Sequence, residues 1–133
     1  MPIHTINVGC VTSSGSYATS TDVTEEEEIV VEKTITVATA VTLTPVAMTV
    51  SDIKSVVFYS TLACDVVPWG ATAGTQFSLA AGVPLIWSTT ASYGTTPFAG
   101  AASSAVTKLV VTCTGAATAT PCAFTMRALI NAN

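Results

Sequence analysis

Charged side chains are scarce in this sequence: they make up 9% of its 133 residues, and only four of them are Lys or Arg. A protein that binds nucleic acid needs clustered cations to displace counterions from the phosphates, and no such cluster is present. No apolar run approaches the roughly 20 residues that a helix needs to cross a bilayer. The sequence therefore predicts neither a nucleic-acid partner nor a membrane partner.

Histidine is almost absent, since His4 is the single one in the chain. Hydrolases that activate a serine or cysteine usually use histidine as the base, and no serine here lies in a G-x-S-x-G turn. Outside the main acidic cluster only Asp52 and Asp65 remain, and their places suit a turn cap and a strand start better than a catalytic pair. The sequence predicts no enzymatic activity and no cofactor.

The four cysteines form no C-x-x-C pair and have no histidine nearby, which argues against a zinc site. The first ten residues, "MPIHTINVGC", lack a basic segment followed by an apolar core, so we expect the chain to meet a reducing cytosol first. Cys113 and Cys122 alternate in step with apolar neighbours and are predicted to point inward from neighbouring strands of one hairpin. They could meet closely enough to oxidise, but reduced core thiols are the expected state.

The pattern of the chain is β almost throughout. Val, Ile, Thr and aromatic residues alternate with a period of two, as in half-buried strands. In "TITVATAVTLT" the residues Ile35, Val37, Val41 and Leu43 are predicted to face a core. About eight or nine short strands, separated by turn signals, predict an all-β antiparallel sandwich of the jelly-roll type.

The predicted domain organisation is a sandwich over residues 22–133 and an extended N-terminal arm or peripheral strand over residues 1–21. Within the arm, the stretch "VTSSGSYATST" has the small polar composition of a linker that a partner could order.

Six of the eight acids lie in one short stretch, "DVTEEEEIVVEK". Four consecutive glutamates in a strand point to alternate faces, so they do not supply the six to eight oxygens that calcium needs. Two compatible interpretations remain: a charged edge that blocks unwanted strand pairing, or a docking patch for a basic partner. The candidate interface residues in this stretch are Glu25, Glu26, Glu27, Glu28 and Glu32.

The two tryptophans have different predicted environments. Trp87 ends the run "VPLIW" and is expected to pack in the core or under the following loop. Trp69 lies in the turn "PWG" and is expected to be partly exposed, where it could anchor an interface or stack on a sugar. Trp69 therefore joins the candidate interface residues.

From about residue 50 to the end, the order of motifs resembles that of small virion proteins of tailed bacteriophages. The matching pieces are Ile53 and Lys54, then "LAAG" with "PLIW" over residues 79–87, then "VTKLVV" over residues 106–111. The resemblance implies a non-enzymatic sandwich that decorates or cements a capsid, or that forms part of a tail.

Such proteins usually act as symmetric homo-oligomers, often trimers, with an N-terminal arm on the shell. The resemblance thus implies the major capsid protein as partner and the capsid surface as location, after assembly in the host cytoplasm. Two alternatives stay open: a tail or neck component of the same fold, and a carbohydrate-binding module that uses Trp69.

Overall fold

The computed structural model of the chain describes residues 2–25, 27–45, 47–89 and 96–131. Regular structure in these ranges is β-strand apart from one 3-10 turn, Val50–Asp52, as the alternation of the sequence predicts. In the same ranges we find no helix that has both the length and the apolar character to cross a membrane.

The described residues form twelve strands. In chain order they are β1 (Ile3–Thr12), β2 (Gly15–Thr24), β3 (Glu27–Ile35), β4 (Val41–Leu43), β5 (Met48–Thr49), β6 (Ile53–Ser60), β7 (Cys64–Trp69), β8 (Phe77–Leu79), β9 (Leu85–Ser88), β10 (Ala105–Val106), β11 (Lys108–Thr112) and β12 (Cys122–Ile130).

Two four-stranded sheets pack against each other, and every strand pairing is antiparallel. The first sheet has the order β4-β11-β7-β8, and the second has the order β3-β12-β6-β9. β5 pairs with β10, and β1 pairs with β2, as separate two-stranded sheets. The predicted all-β antiparallel sandwich is confirmed.

The core lies between the two sheets and is centred on an aromatic group. Phe58 of β6 is fully buried, with its ring centroid 4.9 Å from that of Phe77, 6.0 Å from Phe98 and 6.2 Å from Phe124. The rings of Phe77 and Phe98 meet Phe58 edge to face, the arrangement that aromatic quadrupoles favour. Trp87 is partly buried against this core, as its place in the sequence predicts.

The run of residues 34–44 is not the single strand that its alternation predicts. β3 ends at Ile35 and β4 begins at Val41, and these strands belong to opposite sheets. The residues between them carry the chain across the sandwich, and Val37 is 48% exposed instead of facing the core. Alternation within a run does not reveal that the chain changes sheet halfway along it.

Residues 11–21, which the composition predicts to be a linker, belong instead to a long hairpin. β1 and β2 pair along their whole length, from Ile3 opposite Thr24 to Thr12 opposite Gly15. At the base of the hairpin, Ile6 and Val23 are buried in a second, smaller apolar cluster with Leu129 of β12. The division into an arm of residues 1–21 and a domain of residues 22–133 stays a prediction.

The expected reduced state of the core cysteines is wrong for two of them. Cys64 and Cys113 form a disulfide, and Cys122 is a buried free thiol beside it. The inward direction of Cys113 and Cys122 is confirmed, but β11 and β12 lie in opposite sheets and not in one hairpin. Cys10 is exposed, on the N-terminal hairpin.

We predict that Phe58→Ala lowers the free energy of unfolding by about 3–5 kcal/mol, because it leaves a cavity among three aromatic neighbours. The matched control is Tyr59→Ala, since Tyr59 is the next residue of β6 and is 38% exposed. The control should change stability by only about 0.5 kcal/mol in urea unfolding. Equal losses for both variants would contradict the position of the core.

Candidate functional site

The predicted acidic patch divides into residues with different surroundings. Glu27 begins β3 and is exposed, whereas Glu25 precedes the strand and is half-buried. Glu28 and Glu32 lie on the outer face of β3, on either side of the exposed Val30. Glu26 lies outside the described residues.

Glu28 and Glu32 are paired within the chain. Arg127 of β12 lies directly opposite Val30, so its guanidinium is placed between the two carboxylates. Its Nη1 donates to Glu28 Oε1 and its Nη2 to Glu32 Oε1, each at 3.3 Å. These two acids therefore hold Arg127 in place on the sheet, and part of their charge is already balanced within the chain.

Glu28 also ties the N-terminal hairpin to the sandwich. His4 of β1 forms a hydrogen bond of 2.7 Å between its Nε2 and Glu28 Oε2, and a second one of 2.9 Å between its Nδ1 and Ser55 Oγ. His4 is only 9% exposed and Ser55 is fully buried. Both ring nitrogens of His4 thus have a hydrogen-bond partner in a region that has little access to water.

A serine, a histidine and a carboxylate in series have the composition of a hydrolase triad, but their geometry here is different. In such a triad the serine contacts Nε2 and the carboxylate contacts Nδ1, and here the two nitrogens are exchanged. Ser55 lies beneath the hairpin, so its hydroxyl does not face a cleft. The hydrogen bonds of His4 with Ser55 and Glu28 instead hold the hairpin against β6 and β3.

Beyond the hydrogen bonds of His4, towards its turn, the hairpin is exposed on both faces. Every residue from 7 to 20 is exposed, and none of them is charged; we call this segment the overhang. The hairpin face that is buried at His4 and Ile6 continues along the overhang with Val8, Cys10 and the opposing Tyr17. Tyr17 is 68% exposed, and the side chains of this face line a shallow cleft of about 190 Å³.

The opposite face of the overhang is mainly polar. It carries Asn7, Ser16 and Ser20, with Ala18 and Val11, the latter 86% exposed, as the apolar exceptions. The overhang therefore has two chemically distinct faces, and the more apolar one is continuous with a face that is buried in this chain.

Trp69 is the last residue of β7 and not a turn residue, but it is half-buried, as predicted, and one face of its ring is occupied. Lys108 lies opposite Trp69 in the pairing of β11 with β7, and its Nζ is 4.2 Å from the ring centroid. The ammonium group and the ring attract each other through the ring quadrupole. A sugar or protein partner would therefore have to use the other face of the indole.

Two further features could in principle hold a ligand. A cleft of about 370 Å³ lies between β8 and β9, with Phe77, Leu85 and Pro97 among its walls. Among the described residues, the one group of three potential metal ligands is formed by Cys64, Cys113 and Cys122. Two of these sulfurs are joined in the disulfide, and a metal would need them as thiolates.

Sequence reasoning missed the role of His4, because it considered this residue only as a possible catalytic base. The available signal was the alternation in "IHTINV", where His4 and Ile6 share one strand face. Alternation alone could not show that this face is covered by β6 and β12, whose residues lie far away in the sequence.

We predict that His4→Ala lowers the free energy of unfolding by about 1–3 kcal/mol, because it leaves the buried Ser55 hydroxyl without its partner. Amide exchange should rise selectively in residues 3–6 and 21–24. The control is Thr5→Ala, which removes an exposed 2.7 Å hydrogen bond to Asp22 from the other face of the same hairpin. Equal rates of amide exchange in the two variants would refute the role of His4 in holding the hairpin to the sandwich.

The chain matches no protein-family model, no curated protein and no solved structure.

Proposed function

We propose that the protein is a non-enzymatic structural component of a bacteriophage virion. Its proposed task is capsid decoration: it binds the outer lattice of the major capsid protein as a homo-oligomer, preferably a trimer, and stabilises the shell. The order of motifs from residue 50 onward, which resembles that of small virion proteins, supports this proposal.

The observation that carries the proposal is the uncharged overhang. A two-stranded ribbon in water is marginally stable on its own, and it gains stability when one face packs against a further layer. Among the residues that the structure describes, none forms such a layer over the more apolar face of the overhang, although the same face is covered at its base. A permanent partner supplies that layer, and a capsid lattice offers the same partner surface at every site.

The proposal assigns a smaller role to the acidic stretch than the sequence suggests. Glu28 and Glu32 are engaged by Arg127, which leaves the exposed Glu27 available to contact a basic partner surface. Docking energy then comes mainly from the overhang, and the charge of Glu27 helps to fix the orientation.

The experiment that tests the function is a count of chains per purified particle, by quantitative mass spectrometry against the major capsid protein. We expect a ratio near one or near a simple fraction such as one third, since a decoration protein follows the lattice. A few copies per particle would favour the neck or tail instead. Complete absence from particles would overturn the virion proposal and restore the sugar-binding alternative.

A separate variant pair tests the overhang as the docking surface. Tyr17→Asp places a charge on its more apolar face, and we expect attachment to capsids to weaken by about tenfold or more. Ser16→Asp is the matched control, because it adds the same charge at the adjacent residue on the opposite face. We expect the control to bind capsids within about twofold of the unmodified protein, with both thermal midpoints unchanged. Equal binding by the two variants would exclude this face.

A further inference from the structure

Three of the four cysteines meet inside the sandwich. Cys64 begins β7, Cys113 directly follows β11, and Cys122 begins β12. The free Sγ of Cys122 is 3.5 Å from Cys64 Sγ and 3.3 Å from Cys113 Sγ. All three residues are at most 3% exposed.

The three possible disulfides would have different structural effects. Cys64 and Cys113 lie on neighbouring strands of the first sheet, directly beyond the pair of Asp65 with Thr112, so their bond ties two strands of one sheet. Cys122 belongs to the second sheet. A bond from Cys122 to either of the others would instead join the two sheets covalently.

We propose that these cysteines form one three-thiol site in which any two can carry the disulfide and the third is the exchange nucleophile. In the exchange step the Cys122 thiolate attacks Cys113 Sγ and forms a new S–S bond. The Cys64–Cys113 bond breaks, Cys64 leaves as a thiolate, and it takes up the proton that Cys122 has lost. If the Cys122 thiolate attacks Cys64 Sγ instead, Cys113 leaves as the thiolate and takes up the proton, and the Cys64–Cys122 disulfide forms. Neither step uses an outside oxidant.

The folded chain itself restrains this exchange. Cys122 lies almost equally far from both sulfurs, hence alongside the bond, whereas exchange requires approach along its axis. The Cys122 thiol is also fully buried, so a base in the solvent does not reach its proton in the closed structure. Exchange therefore needs a local opening, and the connection between β11 and β12 is suited to it because most of residues 114–121 are exposed.

The proposal does not depend on the function proposed above, and free-thiol counts test it. A Cys10→Ser background leaves only the three-thiol site, so the oxidised protein should contain one free thiol per chain. Cys64→Ala, Cys113→Ala and Cys122→Ala are then added one at a time, so that each variant keeps two of the three cysteines. After treatment with oxidised glutathione, which accepts the two electrons, each variant should contain no free thiol. Circular dichroism checks that each variant is folded. Two free thiols in folded Cys64→Ala or Cys113→Ala would show that the pairing is unique.

A second measurement needs no change within the site. The Cys10→Ser protein is held at moderate urea at pH 5 or pH 8, and its free thiol is then alkylated in acidic denaturant and located by fragmentation mass spectrometry. At pH 5 we expect the label on Cys122. At pH 8 the initial rate at which label appears on Cys64 and Cys113 should rise by about tenfold or more, since the thiolate is the attacking species. A label that stays on Cys122 at both pH values would overturn the proposal.

Discussion

The structure depends on β12, a strand that has a neighbour along each edge and packs against other residues on both faces. β12 lies between β3 and β6 in the second sheet, and its inward residues, such as Phe124 and Met126, fill the main core. Its outward residues include Leu129, which is covered by the hairpin, and Arg127, which is held between two glutamates. A slip of one residue would exchange the two faces and turn Arg127 into the core, so the register of this strand is strictly specified.

The few charged side chains help to fix the position of β12 against β3 and the hairpin. The ion pairs among the described residues all lie on one surface, where Glu28 contacts both His4 and Arg127. The two exposed pairs of Arg127 with Glu28 and Glu32 contribute little stability, usually less than about 1 kcal/mol. Their effect is geometric, because they fix the outer face of β3 and β12 under the base of the hairpin.

The sequence predicts what depends on neighbouring residues and fails where distant segments meet. Strands β3 and β12 follow from their alternation, and so does the inward direction of Cys113 and Cys122. The exposure of Val37, the disulfide of Cys64 and the covered position of His4 do not, because each depends on which sheet a segment joins. Of the candidate site, the place of Glu28 on the outer face was predictable, whereas its engagement by Arg127 required the pairing of β3 with β12.

The position of β12 in the chain also determines when the protein can fold. During synthesis β12 is made after all other strands of the sandwich, yet both β3 and β6 pair with it. Until β12 emerges, the apolar faces of these two strands lack the neighbour that joins them, and their unpaired edges are exposed. Long-range pairings of this kind are slow to form and leave the growing chain prone to aggregation. The nascent chain is therefore expected to depend on chaperones until β12 has been made and has paired with β3 and β6.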